Sequence, residues 1–372
     1  MENVRQKFED LLGQVKDSNQ NSINQSLEQL RLIVMLDGIP EETEEERRGL
    51  IDTSNTYRKK GLERISDSDR RKLREATTNR TLLCSLRGRL WKIFLRIKVV
   101  DVNYYFNLVE KGPSEKAEAE AINNDVFRTF SSDHEFKLRV PDSKLLRMLN
   151  AFIHSYSGIA FQQGMSLLAA PFLFCLSEAD AFYCYKRFVT RICSAYYTHE
   201  MTGCYAGVEL VMELLEMLDP ELSEHIPQRI NRVWAFKYVS SFSTNQKPLS
   251  EALKLWDFFF AFGFHFNIVC IVAQAIMIRE QLLKEKENEC LLRLQKMDEC
   301  IDARMIINVA IHLLRDIPED FYKQLSQHTH NLDVVKHIRN KKSSQKASLP
   351  VQTSPSNNHP QTKQNNKQGS NS

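Results

Sequence analysis

Asp125, Arg128 and Gln163 form the most chemically specific pattern in the chain. The first two lie in Ile122-Asn123-Asn124-Asp125-Val126-Phe127-Arg128-Thr129, and the third in Phe161-Gln162-Gln163-Gly164-Met165. On a helix, residues three apart are neighbours, so Ile122, Asp125 and Arg128 share one side. Ile122 can anchor that side in a core, and an acid one turn before an Arg is the favourable order for pairing. This spacing predicts a guanidinium held by the Asp125 carboxylate beside a packed Phe127. A guanidinium is always charged, and its planar fork of donors suits phosphate oxygens. Gln163 adds an amide that can donate to one oxygen and accept from another, as orienting a water requires. Gly164 beside it lets a second backbone or a ligand approach closely. Each feature alone is weak, because an Asp–Arg pair at this spacing is usually an exposed surface pair worth under ~1 kcal/mol.

The elements that must position these groups read as helices. Ser114 can cap a helix from Glu115 to about Phe130, which puts Arg128 at its C-terminal end. Asp142 or Ser143 starts a helix with Leu145, Leu146, Leu149, Phe152 and Ile153 on its face, and Gly158 ends it. Gln163 falls near the start of an apolar helix, Gly164 to Leu176. Arg87 to Val99 and Asn21 to Asp37 are further helical stretches, the latter stopped by Gly38 and Pro40. Leu255 to Ile278 is apolar and long enough to cross a membrane. Asp257, Gly263 and His265 within it predict instead two buried helices meeting at a turn. Glu280 to Asp302 reads as charged and helical, and Ile301 to Leu314 and Glu319 to Leu325 close the domain. No segment alternates as a strand does, so the class is all-α.

Composition divides the chain. Residues 1–40 form an N-terminal helical segment whose first 21 residues are polar and mobile. Residues 41–80 are a charged, solvated insertion or linker. Residues 81–340 are the helical domain, with a second half beginning near Gly203. From Lys341 to Ser372 the chain is polar, basic and poor in apolar residues, which predicts a disordered tail. Hydrophobic residues make up 42 %, enough for a sizeable core. A formal net charge of +3 over 372 residues provides no nucleic-acid footprint. The 8 cysteines form no C-x-x-C pair and no zinc spacing with histidine, so no metal site is expected. They read as reduced, buried thiols of a cytosolic protein. There is no phosphate-binding G-x-x-x-x-G-K-[ST], so the chain is not expected to hydrolyse a nucleotide by itself.

The spacing I-x-x-D-x-x-R followed by a Q-G-M element resembles the TBC family of GTPase-activating proteins for Rab-type small GTPases. Arg87-Gly88-Arg89-Leu90-Trp91 is similar to the family's opening R-x-x-x-W element. Leu253-Lys254-Leu255-Trp256-Asp257 is similar to its late L-R/K-L-W-D segment. The four motifs stand in the family's order, and the resemblance covers about Leu82 to Leu325. Leu249 to Ala273 resembles the spindle-position-checkpoint branch in particular, which acts on a mitotic-exit GTPase together with a separate scaffold subunit.

The resemblance implies a two-lobed TBC domain over 81–340, with the catalytic lobe at 81–202 and the second lobe at 203–340. It implies Arg128 as an arginine finger and Gln163 as the residue that orients the attacking water. Asp125, Thr129, Phe161, Gln162 and Gly164 would orient the fingers or touch the GTPase. Arg87, Trp91, Ile122, Trp256 and Asp257 would be structural. Phe161 stands where the family usually has Tyr, Gln162 where it has an apolar residue, and Ser166 where Asn is common. No cofactor is implied, since GTP and Mg2+ belong to the partner GTPase. The implied location is cytoplasmic, at the spindle pole or centrosome. The alternatives are a non-catalytic module that binds a GTPase or scaffold, and an activator of a membrane-traffic Rab.

Overall fold

Helices form where apolar residues recur at three- and four-residue spacing. The computed structural model describes residues 2–17, 20–48, 50, 85–113, 115–198, 200–297 and 301–347, and among them there is no strand. The N-terminal helices are α1 (Glu2–Asp17) and α2 (Gln20–Leu36). The next group is α3 (Leu86–Phe94), α4 (Val102–Val109), α5 (Lys116–Arg128), α6 (His134–Arg139), α7 (Asp142–Ser155), α8 (Met165–Cys175) and α9 (Glu178–Arg187). After a π-helical turn at Phe188–Ile192 come α10 (Thr202–Leu218), α11 (Pro220–His225), α12 (Gln228–Ser241), α13 (Leu249–Phe262) and α14 (Phe266–Met277). The last are α15 (Arg279–Leu282), α16 (Glu287–Gln295), α17 (Ala303–Leu313), α18 (Glu319–Gln327) and α19 (Leu332–Ala347).

The membrane-length stretch divides at Gly263, whose φ of +124° suits glycine alone. No helix among the described residues is long and apolar enough to cross a membrane. Buried side chains from Trp91 to Ile338 form one continuous core. At its centre the Trp91 and Trp256 rings lie 5.8 Å apart, with Phe172 and Phe188 packed on them. The opening and late motifs meet here. Arg87 donates from Nε to both carboxylate oxygens of Asp257 at 3.0 and 2.9 Å, and the Trp91 indole donates to the same group at 2.8 Å. Burial pushes the Asp257 carboxyl up to about 6, against the pull of Arg87 and both sets of hydrogen bonds. α3 also lies tight on the end of α8. A Cβ on Gly88 would sit 2.4 Å from the Cys175 carbonyl oxygen, which already accepts from the Ser85 hydroxyl.

Four sequence expectations need correction. Residues 2–17 are helical rather than mobile, because Phe8, Leu11 and Leu12 fall on one face and pack with Leu30 and Ile33 against Leu86, Leu90 and Ala261. An ion pair from Glu9 to Arg89 at 2.7 Å fastens that hairpin. The charged segment is not simply solvated where it is described. Glu46 pairs with Arg5 at 2.7 Å, and Glu42 accepts from the buried Arg139. Residues 49 and 51–80 of that segment, like the Ser114 cap, lie outside the described residues. The charged 280–302 stretch is two short helices, α15 and α16, with a break between them rather than one run. Finally, α19 passes the Lys341 boundary to Ala347, with Val335 and Ile338 buried and Lys341 paired to Glu213 at 2.5 Å. The remaining tail, 348–372, lies outside the described residues. Cys175, Cys184, Cys193, Cys204, Cys270 and Cys290 are free and buried, as expected.

Candidate functional site

α5 turns its two faces to different tasks. Ile122, Asp125 and Val126 point inward and are nearly inaccessible, and Thr129 follows them at the helix end. Phe127 and Arg128 point outward. The inward register places the Asp125 carboxylate against the start of α8, where backbone N–H groups have no intrahelical acceptor. Both its oxygens accept from the Gly164 N–H at 3.0 Å, and Oδ2 accepts from the Ser166 N–H at 3.0 Å and its hydroxyl at 2.5 Å. The carboxylate also sits favourably at the positive end of the α8 dipole. Thr129 completes the knot: its hydroxyl donates to the Asp125 carbonyl at 2.9 Å and lies 2.5 Å from the Ser166 hydroxyl.

This corrects two predictions. Asp125 does not hold Arg128, because α8 supplies fixed donors that a buried carboxylate needs more than a flexible guanidinium. Arg128 is exposed, and no carboxylate among the described residues pairs with it. Phe127 is not packed but 73 % exposed, since the register that buries Asp125 and Val126 turns position 127 to solvent. What aims Arg128 is instead the backbone. Thr129 is tied to α8, and Phe130 leaves the helix at φ +46° with its ring 4.8 Å from that of Phe136.

The glutamine loop is fastened at three points. The Phe161 N–H donates to Glu118 on α5 at 3.0 Å, the Gln162 side-chain amide donates to the Thr198 carbonyl at 2.9 Å, and the Gly164 N–H donates to Asp125. Gly164 sits at φ +96°, a turn that sends the chain into α8 and that side chains with a Cβ rarely adopt. The two adjacent glutamines are thereby distinguished. Gln162 is half-buried with its nitrogen committed, whereas Gln163 is exposed. Phe161 is half-buried against the core, which leaves the tyrosine hydroxyl of the family pattern without a counterpart here. Arg128 and Gln163 are therefore solvent-facing groups on two elements pinned to one carboxylate. Trp91, Trp256 and Asp257 lie elsewhere, inside the fold, with Arg87 half-buried against Asp257, and Ile122 is fully buried behind the site.

Sequence reasoning passed over Glu118 and Thr198 and assigned Ser166 no role. Ser166 was legible only as a replacement for Asn, yet its hydroxyl bridges Asp125 and Thr129. A serine in the first turn of a helix that follows a glycine was the available signal. Thr198 acts through its carbonyl, which no side-chain pattern announces.

A family model described as the Rab-GTPase-TBC domain matches residues 84–284. The chain is 36 % identical over 326 residues to a Dictyostelium discoideum protein named putative mitotic check point protein BUB2, covering 87 % of this chain and 80 % of the relative. It is 34 % identical over 247 residues to cell division control protein 16 of Schizosaccharomyces pombe, covering 66 % and 81 %. Its fold is similar to the crystal structure of the Ypt/Rab-GAP domain of Gyp1p, with a TM-score of 0.54 and 14 % identity, covering 84 % of this chain and 98 % of that one. Four ordered motifs, an all-helical fold that resembles a solved Rab-GAP domain and a model match across more than half the chain agree, and the chain belongs to the Rab-GTPase-TBC domain family.

Proposed function

We propose that this protein accelerates GTP hydrolysis by a small Rab-type GTPase, supplying two groups in trans. Arg128 enters the partner's nucleotide pocket and neutralises charge that builds on the transferring phosphoryl. Gln163 holds the attacking water in line through its amide. GTP and its Mg2+ belong to the partner. An arginine supplied this way is worth roughly 10^3 to 10^5 in rate, because the reaction needs positioning and electrostatic stabilisation more than covalent help. The observation that carries the reading is the shared anchor: one buried carboxylate, Asp125, ties together the two elements that bear the exposed Arg128 and Gln163. Fixing the two backbone elements removes their ordering from the cost of binding.

In this reading residues 81–202 form the catalytic lobe and 203–340 the supporting one. The relatives named for the mitotic checkpoint and for cell division control favour a role in mitotic exit, with a spindle-pole location and a scaffold subunit as further parts of the proposal. The test is single-turnover GTP hydrolysis across a panel of purified, GTP-loaded small GTPases. Arg128→Ala and Gln163→Ala should each remove most of the acceleration while leaving the fold intact. Wild-type rates in both variants, or tight binding of a GTP-loaded partner with no acceleration by the wild type, would reject it.

A further inference from the structure

All but one of the chain's 21 phenylalanines are buried or half-buried; the exception is Phe127, 73 % exposed and directly before Arg128. A single exposed apolar residue is ordinarily unremarked on a surface. Here three observations set it apart. The ring cannot relieve its exposure by turning inward, because the Asp125 knot with Gly164 and Ser166 fixes the rotation of α5 and gives the inner face to Ile122, Asp125 and Val126. The helix end is also held from beyond by Thr129 and by the left-handed backbone of Phe130. Lastly, Phe127 and Arg128 are adjacent in sequence, about 1.5 Å apart along the axis and about 100° around it, and both lie on the outward arc at the end of α5.

Geometry then leaves little choice. A partner that takes the Arg128 guanidinium into a pocket closes on the outer end of α5, where Phe127 is the exposed apolar group next to it in the chain. We infer that Phe127 is an anchoring residue for the partner GTPase, seated in an apolar depression beside that protein's nucleotide pocket. This rests on the reading of Arg128 given above and adds to it the chemistry of the partner's surface. An aromatic side chain has only two rotatable bonds, so it loses little conformational freedom on binding, and it excludes water around a neighbouring charge; a ring next to a finger arginine thus serves both affinity and the electrostatics of the pocket. The role is in association rather than in the chemical step, because the ring has no polar atom to offer the phosphoryl group.

The test is steady-state kinetics of the full chain with a purified Rab-type GTPase that the wild type activates, loaded with GTP. Phe127→Ala should raise KM about tenfold or more with kcat within about twofold, the size of loss typical of a buried aromatic anchor. Phe127→Leu should recover part of the affinity, and Phe127→Asp should lose more than Ala. Arg128→Ala should do the reverse, lowering kcat with a smaller change in KM. The thermal midpoint of Phe127→Ala should match the wild type, since an exposed ring supports no packing, and this separates lost binding from lost folding. An unchanged KM in Phe127→Ala beside an inactive Arg128→Ala would overturn the anchor and leave the finger in place. A wild-type protein that activates no GTPase in the panel would overturn the functional reading and this inference with it.

Discussion

The carboxylate of Asp125 and the backbone nitrogen of Gly164 lie 3.0 Å apart across 39 residues of sequence. That contact welds the end of α5 to the start of α8, and each neighbour of the weld, Arg128 on one side and Gln163 on the other, faces solvent. Replacing Asp125 with Asn keeps the shape but turns a donor group toward at least one of three donors. We expect Asp125→Asn to cost about 1–3 kcal/mol of stability, because its NH2 would face the Gly164 N–H and a neutral amide oxygen accepts more weakly than the carboxylate from the donors that remain. GTPase activation should fall more than the folded fraction does. Ser166→Ala removes one arm of the same knot and should cost about 1 kcal/mol. Chemical denaturation followed beside hydrolysis rates checks both.

Gly88→Ala tests the seam between α3 and α8. The added methyl would meet the Cys175 carbonyl oxygen at 2.4 Å and Leu176 at 2.6 Å, so backbone must shift. Overpacking of this kind costs about 1–3 kcal/mol. A calorimetric scan should show a fall of several degrees. An unchanged midpoint would mean that α3 is free to move off α8.

Asp257→Ala should destabilise by about 2–4 kcal/mol, because it strands the Arg87 guanidinium and the Trp91 indole N–H without an acceptor. The larger figures for fully buried pairs do not apply, since the Arg87 side chain is 21 % exposed. The pair also has a pH signature. With its carboxyl at about 6 in the fold against 3.8 when unfolded, Asp257 binds a proton in the native state first. Its contribution to stability therefore grows as pH falls through about 6 and levels off near 4. The wild type should gain on Asp257→Asn across that window in parallel urea titrations.

His328 acts in the opposite direction. Its Nδ1 lies 2.7 Å from the Leu325 carbonyl and so carries the proton, while Nε2 accepts from the Tyr196 hydroxyl at 2.9 Å. Burial holds this imidazole down at about 4, against 6.5 when unfolded. Its contribution is present above 6.5 and is lost as pH falls toward 4, at up to about 1.4 kcal/mol per pH unit. Burial lowers His265 as well, to about 3, which steepens the same loss. His328→Gln should flatten the acid limb of the stability profile between pH 6.5 and 4, measured by urea midpoints at fixed temperature.

Much of this molecule was written in its linear order. The all-helical class, the split at Gly263 and the end of α5 near Arg128 follow from local spacing, because helix periodicity and chain-breaking residues act within a few positions of themselves. The four motifs and their order were equally legible, and they carried the resemblance to the TBC family. The polar reading of residues 1–21 failed for the complementary reason. Phe8, Leu11 and Leu12 are sparse in sequence and count only when α2, Leu86 and Ala261 are beside them.

Only the tertiary structure decided what each site residue touches. Spacing offered Asp125 to Arg128 as a neighbour three positions away, but it could not show a competing set of fixed N–H donors arriving from 39 residues downstream. A buried carboxylate takes the donors that cost least to order, and the α8 terminus presents them already in place. The rotation that satisfies Asp125 is also the rotation that leaves Phe127 and Arg128 in solvent, so one long-range contact set both the interior and the exposed face of α5.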